Sequence, residues 1–187
     1  MTKLIDVDLA KCYRLLNHGP TVLVTSAFED RQNVMAAAWA MPLDFDPPKM
    51  LVVIDKSTYS RALIESSGEF ILNIPCRAQA AAVLKVGGSS GQQNDKFAES
   101  GLIAVPSQTM AAPRVAGCIG YLECKVINEP HNQQKYDLFI GEVIAAQADA
   151  EVYSEGRWHF EGHDEKRSLH YISGGAFFSI GEQFQVE

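Results

Sequence analysis

Residues 138–146, Leu-Phe-Ile-Gly-Glu-Val-Ile-Ala-Ala, constrain the fold more than any other stretch of this chain. They read as a long strand that is apolar on both faces. A strand with two buried faces needs a barrel interior on one side and a helix or a partner subunit on the other. Gly141 is the expected place for a bend or bulge. Residues 118–128 read as a second long strand. There Cys124 alternates with Leu122 and Val126 and is expected to point inward.

Four shorter strands precede these two. Residues 21–26 are rich in β-branched side chains. After the polar turn 29–33, residues 34–39 complete a hairpin. Pro42, Asp44, Asp46, Pro47 and Pro48 then break regular structure, and residues 50–55 form a third strand. Residues 70–74 form a fourth, closed by Pro75. Helical segments are expected at 9–17, at 62–66, at the Ala-rich 78–86 and at 95–100, with residues 87–93 as a Gly-rich loop. About six strands joined largely by hairpins do not give the alternation of a doubly wound sheet. A closed or partly closed antiparallel barrel fits better.

The 187 residues suit one domain spanning 1–187, and 47% hydrophobic residues provide a real core. The formal charge of −7 disfavours nucleic acid and anionic membrane as partners. Cys12, Cys76, Cys118 and Cys124 include no CxxC pair, so they read as small buried thiols. The first eight residues lack the apolar core of a secretory signal, and no apolar run reaches the ~18 residues of a membrane span. A cytoplasmic protein is expected.

Chemistry concentrates where the third strand turns into a helix. Lys56, Ser57, Thr58, Ser60 and Arg61 place two cations and three hydroxyls at that helix start. Free backbone N–H groups and the helix dipole make such a start a seat for a phosphate. No Walker loop precedes it. Asn73 lies inside an apolar strand, where its amide either bonds neighbouring backbone or faces a ligand. Trp39, beside Ala36, Ala37 and Ala38, suits either the core or a ligand wall. His159 and His163 are separated by Gly162 and read as a polar loop rather than a metal site. There is no Gly-x-Ser-x-Gly elbow.

Taken together, the segments resemble the flavin reductase-like family of FMN-binding split-barrel proteins, which includes the flavoredoxins. The resemblance rests on 20–26, on Asn33 with 36–41, on Asp46-Pro47-Pro48, on 56–61 and on 68–75. It continues through Ser90-Gly91, Asp95-Lys96-Phe97, 122–126 and 139–143. It implies a Greek-key split barrel working as a homodimer, with FMN in a groove at or near the dimer interface; FAD is the less favoured flavin. By the same resemblance Lys56, Ser57, Thr58, Ser60 and Arg61 hold the phosphate. Asn33, Ala37, Ala38, Trp39, Ala40 and Met41 line the ribityl chain and flavin edge, and Asn73 reaches the same pocket. The loop up to Lys96 and the stretch 169–171, Tyr171 above all, border the isoalloxazine. Where relatives carry a hydroxyl near 36–38, this chain has alanines, so contacts there fall to the main chain.

The implied activity is that of an oxidoreductase in which NAD(P)H reduces the flavin and electrons pass to a small-molecule or protein acceptor. Two alternatives stand beside it: a flavoredoxin-type carrier fed by a protein donor, and a binding module of the same fold holding haem through a residue such as His170.

Overall fold

The computed structural model describes residues 3–15 and 19–186, with side chains at 13–15 left aside. The chain forms β1 (Leu4–Asp6), β2 (Val22–Phe28), β3 (Arg31–Ala37), β4 (Ala40–Phe45), β5 (Pro48–Val53), β6 (Glu69–Ile74), β7 (Ala104–Val105), β8 (Arg114–Val115), β9 (Gly120–Ile127) and β10 (Leu138–Asp149). Two short hairpins follow, β11 (Tyr153–Ser154) with β12 (Arg157–Trp158) and β13 (Leu169–Ser173) with β14 (Ala176–Ser179). The α-helices are α1 (Tyr59–Ser67), α2 (Ala80–Gly87), α3 (Lys96–Ser100) and α4 (Pro130–Tyr136). None of the described helices is long and apolar enough to cross a membrane.

One antiparallel sheet runs β3-β2-β6-β9-β10-β5-β4, and β1 also pairs with β10. Laid flat, seven strands would hold their edges about 29 Å apart. Yet Met35 of β3 and Ala40 of β4, from the two edges, pack on the same core as Val24, Met50, Phe70, Leu122 and Phe139. The sheet therefore wraps around that core as a split β-barrel, with β3 and β4 as its lips. The β5–α1–β6 connection passes over β9 and β10, which gives the Greek-key crossing.

β2 shows why the inner strands read as continuous apolar runs. Val22 and Val24 enter the barrel core, while Leu23 points the other way, into a second cluster with Val34, Val83, Val86 and Phe97 under α2 and α3. In β10, Phe139 and Val143 point inward, and Ile140 stays only half-buried on the outside. Cross-strand register aligns Ile140 with Leu51 and Ile127, and Leu51 with Met41. The outer face of β4-β5-β10-β9 thus carries an apolar row.

Some expectations are corrected. The register runs straight through Gly141, and the bulge lies between Val143 and Ala145. Gly141 is instead a packing glycine: a Cβ there would meet Cys124 Cβ and Phe70 Cζ, each at 2.7 Å. β4 forms across a stretch expected to be irregular. Proline is tolerated on an edge strand, and a bulge between Pro42 and Asp44 absorbs the misfit. Residues 130–136 form a helix because Pro130 takes the first helical position, where its missing N–H costs nothing. The early helix is a 3-10 segment, Leu9–Leu15; residues 16–18 lie outside the described residues. All four cysteines are free and buried.

Candidate functional site

A groove of about 640 Å³ opens beside the β3–β4 lip. Its floor is the backbone and small side chains of Ala36, Ala37 and Ala38, where β3 ends. Trp39 stands at its rim, 74% exposed, which excludes a core role for that side chain. Val83, Leu84 and Gly87 of α2, with its C-cap residue Gly88, make one apolar wall, and Tyr171 and Phe177 of the β13–β14 hairpin make another. These two rings meet edge to face at 5.3 Å. Thr21 fastens the hairpin through its hydroxyl, which accepts from Tyr171 N at 2.9 Å, and its own N–H donates to Leu169 O at 2.7 Å. Asp55, Thr58, Tyr136 and Asp137 form the polar end.

The polar end is the start of α1. Thr58 is the N-cap residue, but no side chain caps the helix. Thr58 Oγ1 instead donates to Asp55 O, and Ser57 donates both its N–H and its hydroxyl to Asp55 Oδ1. Those two Ser57 bonds hold the Asp55 carboxyl below its ordinary range. Lys56 is exposed at the same corner. An uncapped helix start facing a groove, with a lysine beside it, is what an anionic group needs. Arg31 was not anticipated. It reaches the same helix turn from β3, donating to Tyr59 Oη at 3.3 Å.

Ser60 and Asn33 are buried together, the Asn33 amide donating to Ser60 Oγ at 2.9 Å. Gly91 lies against that amide so closely that a Cβ would sit 2.1 Å from Asn33 Oδ1. Asn33 thus ties β3, α1 and the 87–94 loop together behind the groove.

Several residues expected in the groove lie elsewhere. Arg61 turns inward, 6% exposed, away from the corner. Its Nε donates to Glu65 at 2.8 Å, Nη2 to Gln133 O at 2.7 Å, and Nη1 to Ile54 O and Asp137. Burial would lower its pKa, but Glu65 and Asp137 outweigh it and keep the guanidinium charged. Asn73 is fully buried: its amide donates to Leu23 O, Thr25 Oγ1 and Ile71 O, and its carbonyl accepts from Val115 N at 2.8 Å. The neighbouring-backbone alternative is the one the structure adopts. Lys96 is buried with Nζ donating to Val86 O at 2.7 Å, tying the end of α2 to α3, and burial lowers its pKa. Ala40 packs against the barrel core, and Met41 lies on the outer sheet face opposite Leu51. His170 pairs across from Phe178, on the hairpin face opposite Tyr171 and Phe177.

The sequence signal for the missed walls was weak. Leu84 is a large apolar residue on an exposed face of an Ala-rich helix, and Tyr136 is an aromatic just before a strand. Neither pattern marks a ligand wall by itself.

Residues 14–172 match the family model described as the flavin reductase like domain. The chain belongs to the flavin reductase-like family. Among solved structures, it is similar to the FMN-binding domain of a flavin reductases-like enzyme from Shewanella baltica OS155, with 48% identity, a TM-score of 0.97 and coverage of 100% of this chain and 98% of the other. It is also similar to the flavoredoxin of Desulfovibrio vulgaris (Miyazaki F), at 29% identity and a TM-score of 0.78 over 90% of each chain. Uncharacterized protein YddH of Escherichia coli K12 is 42% identical over 186 residues, 98% of each chain.

The groove of this family member fits FMN on its own geometry. Its volume lies inside the ~300–1,000 Å³ range of cofactor sites, mostly apolar with a few polar groups. Flat apolar walls suit a fused ring, alanine and glycine backbone permits close approach, and the uncapped α1 start suits a phosphate.

Proposed function

We propose that this protein is an FMN-dependent oxidoreductase in which NAD(P)H reduces the flavin and electrons pass on to a further acceptor. The observation that carries the reading is a groove with apolar walls running to an uncapped helix N-terminus with Lys56 beside it. The likeness to an FMN-binding domain at 48% identity supports the same ligand.

Bound FMN would supply the two-electron redox chemistry. The protein's part is placement. The N–H groups at the start of α1 and the Lys56 ammonium neutralise the phosphate, with Ser57 and Thr58 at the same turn. Asn33 and Ser60 hold that turn against β3. Backbone at 36–38 and 87–88 receives the ligand edge. Leu84, Tyr171 and Phe177 keep water from the ring, and Trp39 and Tyr136 stand at the mouth, where an incoming donor or acceptor passes.

The protein is further proposed to act as a homodimer. Supporting this, Met41 of the lip strand is 53% exposed and continues into the Leu51–Ile140–Ile127 row on the outer sheet face. Such a patch on one sheet face favours a second copy. Light scattering should report twice the chain mass, and a monomer would refute it.

The likeness to a flavoredoxin favours a second reading, a carrier reduced by a protein donor. Anaerobic stopped-flow separates the two. Under the first reading, NADH or NADPH bleaches the visible flavin band. If neither nucleotide bleaches it while a reduced ferredoxin-type donor does, the reductase reading is lost. A purified protein that neither carries nor takes up flavin refutes both.

A further inference from the structure

α4 needs an external anchor. It is seven residues long, none of them is buried, and no side chain caps its start. A helix that short is marginal by itself. Nonetheless its last residue, Tyr136, and its C-cap residue, Asp137, both line the groove. Tyr136 is held there although it is 57% exposed, and its ring meets that of His131, on the same helix, at 5.6 Å.

The anchor is Arg61. Arg61 lies in the first turn of α1, where a cation opposes that helix's own dipole. Its side chain leaves α1 and crosses to the C-terminal end of α4, where a cation is favoured. There Nη2 donates to Gln133 O and Nη1 to Asp137. The guanidinium also lies over the Phe139 ring, 5.3 Å from its centroid, which fixes its plane. Asp137 adopts φ 57° and its carbonyl accepts from Ile54 N, so the tie also fixes the chain as it enters β10.

We propose that Arg61 is a positioning residue: it sets the Tyr136 side of the flavin groove by locking α4 onto the phosphate-binding corner, rather than contacting the phosphate itself. The inference rests on the flavin-binding reading above, and it joins the two ends of the groove through one buried side chain. A ligand group seated on α1 and a ring resting near Tyr136 would then be positioned by the same guanidinium.

Riboflavin, which lacks the phosphate, separates the two roles. Arg61→Lys keeps the charge but loses the fork, and should weaken FMN and riboflavin equally, by roughly tenfold, the scale of a lost charged hydrogen bond. Lys56→Ala should weaken FMN alone. Combined with Tyr136→Ala, the Arg61→Lys effect on riboflavin should largely vanish, since it acts through that wall. A loss confined to FMN, no loss for either ligand, or additivity with Tyr136→Ala would each overturn the proposal. Hydrogen exchange gives an arm that needs no flavin. Amides of α4 should exchange about tenfold faster in Arg61→Lys, with β6 and β9 unchanged; unchanged α4 exchange refutes the tie. If Arg61→Lys does not fold, Asp137→Gly removes the charged half of the tie, leaving only the Gln133 O bond, while suiting the left-handed backbone, and the same two measurements apply. Wild-type protein that binds neither flavin refutes the flavin reading, and the exchange arm still decides the role of Arg61.

Discussion

Asn73→Ala separates a core staple from a ligand contact at the one buried amide that both readings claim. The Asn73 carboxamide joins β2, β6 and β8, through Leu23 O at 2.9 Å, Thr25 Oγ1 at 3.1 Å, Ile71 O at 3.3 Å and Val115 N at 2.8 Å. Truncation affects these partners unequally. Carbonyls have a second lone pair, and the Thr25 hydroxyl can rotate. The Val115 N–H has one proton and is left buried without its acceptor. An orphaned buried donor costs about 1–3 kcal/mol. With the lost contacts of the amide itself, the substitution should cost about 2–4 kcal/mol. For a chain of this size each kcal/mol moves Tm by about 2–4 °C, so the expected drop is roughly 5–15 °C. Circular dichroism on heating and a urea titration check it, with a lower midpoint and an unchanged slope. Flavin affinity of the folded fraction should stay within about twofold, less than 0.5 kcal/mol. A Tm unchanged within about 1 °C would refute the staple, because about 2 kcal/mol is well above that resolution. So would lost flavin binding in a protein of unchanged stability.

Three further outcomes follow from the same structure. Gly91→Ala places a Cβ 2.1 Å from Asn33 Oδ1, so the loop or the Asn33–Ser60 pair must move; isothermal titration should show FMN affinity down about tenfold or more while the unfolding midpoint changes little, and unchanged affinity would refute the link. Gly141→Ala forces a methyl against Cys124 and Phe70 in the barrel core, and should cost about 1–3 kcal/mol or more in urea unfolding; wild-type stability would show that the core yields freely. Glu123 is buried, which opposes ionisation, but the Thr109 hydroxyl, the Gln108 and Thr109 N–H groups and Arg114 outweigh burial and hold its carboxyl below 4.5. A folded-state value below the unfolded one gives stability that is full above about pH 4.5 and lost as pH falls through the folded value. Urea midpoints should decline through that acid window, and less steeply in Glu123→Gln; identical slopes would refute the assignment.

The part of the candidate groove that was legible in the sequence, Ala37, Ala38, Trp39, Thr58 and Tyr171, was legible because its chemistry is local. The corner 56–61 announces an anion seat through residue types alone, and the alanines at 36–38 announce close backbone approach. Residues whose role depends on direction were not legible in the same way. Arg61 and Lys56 are alike in sequence, two cations five positions apart at one corner. In the structure Lys56 stays in solvent, while Arg61 turns inward from the first turn of α1 and meets Asp137, 76 residues away. Asn73 is an isolated amide in an apolar strand, and only the return of β8 decides what it meets.

The sequence alone determined the strand-rich class, the two long strands, the phosphate-suited helix start and the family resemblance. Each of these follows from period, propensity and residue type within a few positions. Tertiary structure decided that Gly141 is needed for packing rather than a bulge, that an edge strand accommodates Pro42, that α2 and the β13–β14 hairpin close the groove walls, and that Arg61 braces α4. Those outcomes rest on contacts between residues far apart in the chain, made only once the barrel has wrapped; periodicity in the sequence does not encode which distant carbonyl a guanidinium will find.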